Sequence, residues 1–140
     1  MFENNKILIL GFARSGYDAA KLLIERNNTV IVNDFKEMNP KDEDKVNELK
    51  EKGVEFIFGG HPDDLLDNSF QYLIKSPGIA IDHKYVLKAR ELGIEVINET
   101  EMAYRLIPKD KNIKLIGITG TNGKTTTTTL IYKFIKKDGR

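Results

Sequence analysis

Cysteine and tryptophan are absent from the 140 residues, and histidine occurs only twice. Without cysteine the chain can form no disulfide, no thiolate metal site and no cysteine nucleophile. No apolar run approaches the roughly 20 residues that span a bilayer. The first residues also lack the basic, apolar and small-residue segments of a secretory signal. We therefore expect no membrane span and a cytoplasmic location.

The composition that remains is ordinary for a globular protein, with 40% hydrophobic and 31% charged residues. The length suits one domain and part of a second. The net charge of +1 hides an asymmetry, because residues 1–98 carry 13 Lys/Arg against 17 Asp/Glu whereas residues 99–140 carry 9 against 4. A basic C-terminal segment suits a polyphosphate ligand, although its lysines also fit one solvated helix face. Neither interleaved aromatics nor a known binding module indicates nucleic acid.

Short apolar runs alternate with helical patterns through the first part of the chain. The predicted strands are Lys6–Leu10, 29–32, 54–58, Tyr72–Lys75 and 95–97. The predicted helices are one capped by Ser15, then 40–52, 83–92 and 99–106. This alternation implies βαβ units with right-handed crossovers. It predicts an α/β fold: a doubly wound, mostly parallel, five-stranded Rossmann-like domain.

The last part of the chain has a different organisation. Residues 113–119 are predicted to form a strand, 120–123 a loop and Lys124–Lys137 a helix. We therefore expect a Rossmann-like domain at 1–97, a connecting helix and linker at 98–112, and the start of a truncated P-loop domain at 113–140. A single strand with unpaired edges invites pairing between molecules, so we expect self-association.

A phosphate-binding motif occupies residues 120–126, which read Gly120, Thr121, Asn122, Gly123, Lys124, Thr125, Thr126. Glycines let backbone N–H groups point at phosphate oxygens, and the N-terminus of the following helix adds positive potential. The lysine can reach the β- and γ-phosphates, and the Thr125 hydroxyl can bind Mg²⁺. The segment departs from the general GxxxxGK[ST] pattern, because Ile118 stands where that pattern has its first glycine.

A second glycine motif, residues 11–16, lies between the first strand and the first helix. It is a variant of GxGxxG with Ala13 in the second glycine position, and Asp34 follows 23 residues after Gly11. That spacing is typical of dinucleotide binding. A single degenerate motif is weak, and Ala13 would hinder the approach of a pyrophosphate. The residues alone leave open an NAD site and a tight turn without a ligand.

The two motifs in this order resemble the Mur ligase family. Residues 120–126 match the family's Gly-Thr-Asn-Gly-Lys-Thr-Thr loop at every position, and the family also lacks the general motif's first glycine. Residues 9–16, 32–34 and the Lys-Ser-Pro-Gly-Ile segment at 75–79 are similar to family members that add D-glutamate. Such enzymes join D-glutamate to UDP-N-acetylmuramoyl-L-alanine in peptidoglycan precursor synthesis, with ATP and Mg²⁺.

The resemblance implies roles for particular residues. On one side of a UDP-substrate site, Arg14 and Ser15 would lie by the uridine and diphosphate, while Asp34 and Phe35 would face the uracil. The other side of the uridine would be lined by Ser76, Pro77 and Gly78.

The same resemblance implies how the complete enzyme works. The substrate carboxylate attacks ATP to give an acyl phosphate, which the amine of D-glutamate then attacks. Lys124 and Thr125 would be catalytic, with Thr125 binding Mg²⁺. The remaining metal ligands and the amino-acid site are expected elsewhere, so the fragment itself is expected to be inactive. The alternatives are an NAD-dependent oxidoreductase, a non-catalytic nucleotide-binding module, or a family member that adds another amino acid.

Overall fold

The computed structural model describes residues 2–108, 110 and 113–137, which divide into two compact units at residues 107 and 108. The first unit is built on a five-stranded sheet. Its strands are β1 (Lys6–Leu10), β2 (Thr29–Asp34), β3 (Glu55–Phe58), β4 (Tyr72–Lys75) and β5 (Glu95–Asn98). All four strand pairs are parallel, and the order is β3-β2-β1-β4-β5. The predicted doubly wound parallel sheet is therefore confirmed.

Helices pack on both faces of this sheet. They are α1 (Arg14–Ile24), α2 (Glu43–Glu51, after a 3-10 turn at Pro40–Asp42), α3 (Lys84–Glu91) and α4 (Glu99–Arg105). Successive strand side chains point to opposite faces, so Ile7 and Ile9 join one core cluster while Leu8 and Leu10 join the other. Burial on both faces explains why β1 is apolar throughout its four buried positions.

Helix α1 begins shortly after β1 and α4 begins directly after β5, so the first residues of both helices lie near the carboxyl ends of the strands. The N-cap of α1 is Ala13, which makes no side-chain cap hydrogen bond. The prediction that Ser15 caps this helix was wrong, because Ser15 lies inside the first turn and its hydroxyl donates elsewhere. Asn98 caps α4 by accepting from the Glu101 amide at 2.8 Å, which makes Glu99 the first residue of that helix.

The second unit contains α5 (Lys124–Lys137), the helix predicted after the phosphate loop. The strand predicted at 113–119 was wrong: these residues form no strand in the part of the chain that the structure describes. A strand is stabilised by hydrogen bonds to neighbouring strands, and none pairs with this segment among the described residues. The domain boundaries predicted at residues 97 and 112 stay predictions, although α4 packs within the first unit through Met102.

No helix among the described residues is long and apolar enough to cross a membrane.

Candidate functional site: a cleft where the strand order reverses

The carboxyl ends of β1 and β4 meet where the strand order reverses, and the loops after them are in direct contact. The Ser76 amide donates to the Leu10 carbonyl at 3.0 Å, and the Gly11 amide donates to the Asn33 carbonyl at 2.8 Å. A Cβ at Gly11 would lie 3.1 Å from the Ser76 Cβ, and Gly11 has φ +100°. The first glycine of the turn is therefore required both by its backbone conformation and by its contact with the loop after β4.

The last glycine of the same motif brings α1 close to the turn. A Cβ at Gly16 would lie 2.3 Å from the Gly11 carbonyl oxygen. Only glycine allows the first turn of α1 to pack this closely on the chain leaving β1. The uncapped N-terminus of α1 is thus held beside the carboxyl end of β1.

Asp34 holds the glycine turn from the neighbouring strand. Its Oδ2 accepts from the Phe12 amide at 2.7 Å, and its Oδ1 accepts from the Lys36 amide at 2.9 Å. Each carboxylate oxygen can accept a further hydrogen bond. The acidic residue that the spacing singled out therefore supports the turn and remains able to bind a ligand.

An open cleft of about 650 Å³ lies over these loops. Its lining includes three of the predicted UDP-binding residues, Asp34, Ser76 and Gly78. Phe12 and Phe58 add aromatic surface to it, with their ring centroids 5.9 Å apart in an edge-on arrangement. A cleft with apolar surface and a few polar groups is the usual form of a small-molecule site.

A smaller cleft of about 350 Å³ lies between α1 and α4, and Ser15 and Glu99 line it. Glu99 is 7% exposed. Its Oε1 accepts from the hydroxyls of Ser15, at 3.1 Å, and Ser76, at 3.0 Å. One carboxylate oxygen thus connects two of the predicted site residues.

The other three predicted UDP-binding residues occupy exposed positions. Arg14 is the first residue of α1, and Pro77 follows Ser76 in the loop after β4. Phe35 follows β2 and is 70% exposed, with its ring 5.6 Å from that of His61. These residues are close in sequence to the cleft-lining positions, but they do not line the cleft and their side chains are exposed.

His61 lies beside Phe35, and His83 lies beside His61. The His61 Nδ1 is hydrogen bonded to the side-chain oxygen Oδ1 of the buried Asn33, and the His61 ring lies 4.7 Å from the His83 ring. Burial lowers the pKa of both rings, and the nearby Lys84 charge lowers each further, as does the charge of His83 for His61. His83 also accepts from the Tyr85 amide as the N-cap of α3. Both residues therefore have structural partners in loops and caps.

The phosphate-loop residues lie in the second unit and are exposed throughout 120–126. Gly120 has φ +146° and Gly123 has φ +78°. The Lys124 ammonium donates to the Gly120 carbonyl, and the Thr127 amide donates to the Gly123 carbonyl at 2.9 Å as α5 begins.

This local geometry leaves backbone N–H groups available to an anionic ligand. Both glycines adopt conformations that other residues rarely take. The amides of Lys124, Thr125 and Thr126 belong to a first helical turn, where N–H groups have no partner within the helix. Among the residues that the structure describes, no cluster of three His, Asp or Glu could hold a metal ion.

A doubly wound parallel sheet with a cleft at the strand reversal defines a Rossmann-like domain. A family described as "Mur ligase MurD-like, N-terminal domain" matches residues 5–98. The chain belongs to this family.

Relatives named UDP-N-acetylmuramoylalanine–D-glutamate ligase match nearly the whole chain. The one from Enterococcus hirae is 50% identical over 128 residues, which are 91% of this chain and 26% of the relative. The one from Geobacillus kaustophilus is 43% identical over 99% of this chain and 30% of the relative. This chain therefore spans less than a third of the length of these relatives.

Solved structures with the same fold come from other ligases. UDP-N-acetylmuramate-alanine ligase MurC from Thermotoga maritima has a TM-score of 0.61 and 24% identity, covering 94% of this chain and 29% of that protein. The murein peptide ligase Mpl from Psychrobacter arcticus has a TM-score of 0.65 and 20% identity, covering 96% and 27%. At these identities the likeness concerns the fold alone.

Proposed function

We propose that residues 1–97 form the UDP-substrate domain of an ATP-dependent ligase that adds D-glutamate to UDP-N-acetylmuramoyl-L-alanine. The main support is that the family match at 5–98 includes the residues that build the cleft, Gly11, Asp34 and Ser76. Open α/β sheets bind ligands at this place, outside the carboxyl ends of the strands where the order reverses. The ligase as a whole would act in peptidoglycan precursor synthesis, in the cytoplasm.

The cleft offers complementary groups to a uridine diphosphate. The carboxylate of Asp34 would accept from the N3–H of the uracil, with Phe35 beside it. Ser76, Pro77 and Gly78 would contact the other side of the uridine. The first turn of α1 has no side-chain cap, so its amides are free to donate to the diphosphate near Arg14 and Ser15.

An NAD-dependent oxidoreductase fits these residues less well. Ala13 occupies the position of the second glycine of a dinucleotide site, and that glycine is what allows the pyrophosphate to approach the backbone.

Another amino-acid-adding ligase of the same family is also less favoured. The relatives at 43–50% identity are named as D-glutamate ligases, whereas the alanine ligase MurC is 24% identical.

The phosphate loop would bind the ATP of the same reaction. Residues 120–126 would hold the β- and γ-phosphates through backbone amides and the Lys124 ammonium, and the Thr125 hydroxyl would bind Mg²⁺. Bound Mg²⁺ supplies neutralisation of the charge that develops on the transferred phosphoryl group. Lys124 would stabilise the same charge from the protein side. Residues 113–140 would then be the start of the ATP-binding domain.

Calorimetric titration of the chain with UDP, UDP-N-acetylmuramoyl-L-alanine and NADH tests the UDP-substrate proposal. We expect both uridine ligands to bind and NADH not to compete. Asp34→Ala should weaken UDP binding about tenfold or more, the loss of one hydrogen bond to a charged group. Asp44→Ala, which removes an exposed carboxylate from the first turn of α2, is the matched control and should bind UDP normally. Tight NADH binding without a response to UDP would refute the proposal.

A further inference from the structure

Glu99 carries two hydrogen bonds that join separate parts of the nucleotide cleft. Its Oε1 accepts from Ser15 Oγ, in the first turn of α1, and from Ser76 Oγ, in the loop after β4. The sheet already brings the backbones of these two segments together, because β1 pairs with β4 and the Ser76 amide donates to the Leu10 carbonyl. The carboxylate adds a side-chain connection, which ties the Ser76 hydroxyl to the first turn of α1.

Ser76 is restrained at both its backbone and its side chain. Its amide donates to the Leu10 carbonyl, and its Cβ would lie 3.1 Å from a Cβ at Gly11. The bond to Glu99 then sets the side-chain rotamer. A displacement of Ser76 would consequently move one wall of the cleft against the glycine turn.

The same bond determines what Ser76 offers to a ligand. A serine hydroxyl has one proton and two lone pairs. While the proton is donated to Glu99, the oxygen can only accept from a group in the cleft. Ser76 would therefore bind an N–H or O–H of the nucleoside and would not donate to phosphate.

The second oxygen of Glu99 argues against a role in folding stability alone. Oε2 is buried and has no hydrogen-bond partner among the described residues. An unpaired buried oxygen of this kind costs stability. Folding by itself would favour a smaller or apolar side chain at position 99, which could pack with Met102 and Leu22 along the smaller cleft.

We propose that Glu99 is a positioning residue of the nucleotide cleft: it ties α1 to the loop after β4 and holds Ser76 as a hydrogen-bond acceptor for the nucleoside. This inference rests on the proposed UDP-substrate function. It concerns a residue that does not itself line the larger cleft.

The test compares Glu99→Ala with Glu99→Gln, using calorimetric titration with UDP. Glu99→Ala should weaken UDP binding about tenfold, the size expected for one hydrogen bond of about 1.4 kcal/mol. Glu99→Gln should bind within about threefold of the wild type, because an amide oxygen can accept from both serines. Glu91→Ala, at the exposed end of α3, is the control and should bind UDP with wild-type affinity. The thermal midpoint of Glu99→Ala should move little.

A double-mutant cycle identifies the serine through which Glu99 acts. If Glu99 orients Ser76, Ser76→Ala should weaken UDP binding in the wild type but much less in Glu99→Ala. Additive losses would overturn the proposal. Wild-type UDP affinity in Glu99→Ala would overturn it as well, while leaving the proposed function intact.

The ligand-free protein provides an independent measurement. In amide NMR spectra, the Ser76 and Gly11 signals should shift in Glu99→Ala and remain near their wild-type positions in Glu99→Gln. If the wild type does not bind UDP, the proposed function fails, and these spectra alone then decide whether Glu99 positions the loop. Unchanged Ser76 and Gly11 signals in Glu99→Ala would refute that positioning.

Discussion

The substitution Gly16→Ala, which adds one methyl group, tests the close packing of α1 on the glycine turn. The new Cβ would lie 2.3 Å from the Gly11 carbonyl oxygen, about 1 Å inside an ordinary contact. The oxygen belongs to a backbone segment whose amide is bonded to Asn33, so the turn itself has to move. Overpacking lowers the free energy of unfolding by about 1–3 kcal/mol, and we expect about 3 kcal/mol here because the backbone has to shift. The helix propensity of alanine offsets about 1 kcal/mol.

The net expectation for Gly16→Ala is a loss of about 2 kcal/mol in the free energy of unfolding, or roughly a thirtyfold smaller folding equilibrium constant. In urea unfolding followed by far-UV circular dichroism, the midpoint should fall by about 1 M for a typical slope. Gly60→Ala is the matched control, because its added Cβ meets nothing within 4 Å. Its free energy of unfolding should stay within about 0.5 kcal/mol of the wild-type value. A Gly16→Ala variant as stable as the wild type would show that helix propensity outweighs the contact.

Two further expectations concern pH and association. Because the pKa values of His61 and His83 lie below 6.5 in the folded chain, the unfolded chain binds more protons below that pH. The stability that the neutral rings contribute should be complete above pH 6.5 and should decline as the pH falls below it. A wild-type urea midpoint that does not change between about pH 7 and pH 5.5 would contradict this expectation. Leu115 and Ile116 are 62% and 64% exposed, and exposed apolar side chains favour association between molecules. The sedimentation coefficient should therefore rise with protein concentration, and it should rise less in an Ile116→Lys variant. A strictly monomeric wild-type profile at high concentration would refute the expected association.

The sheet of the first unit could be predicted because each strand has a local signal. β1 is buried on both faces and reads as an uninterrupted apolar run. The two glycine motifs could also be located, since the turn after β1 and the start of α5 need conformations or contacts that glycine alone permits. These features depend on residues near one another in the chain.

The strand predicted at 113–119 shows where that reasoning stops. Its sequence has the composition of a strand, but a strand forms only with hydrogen-bonded neighbours. Among the described residues none pairs with it. The strand propensity of this segment is not sufficient to form a strand without a paired neighbour. Helix α5 does form, because the hydrogen bonds of a helix are internal to it.

Glu99 shows what depends on tertiary structure. An acidic residue at the start of a helix has an ordinary local explanation in the helix dipole, so nothing in the sequence distinguishes it as part of a site. The fold brings α4 against α1 and the end of β4, and only then does one carboxylate meet Ser15 and Ser76. The sequence by itself determined the parallel α/β class, the glycine turn and the phosphate loop, because each is specified by neighbouring residues. The tertiary structure decided which loops meet in the cleft and which buried charge holds them, because those contacts join residues that are up to 84 positions apart.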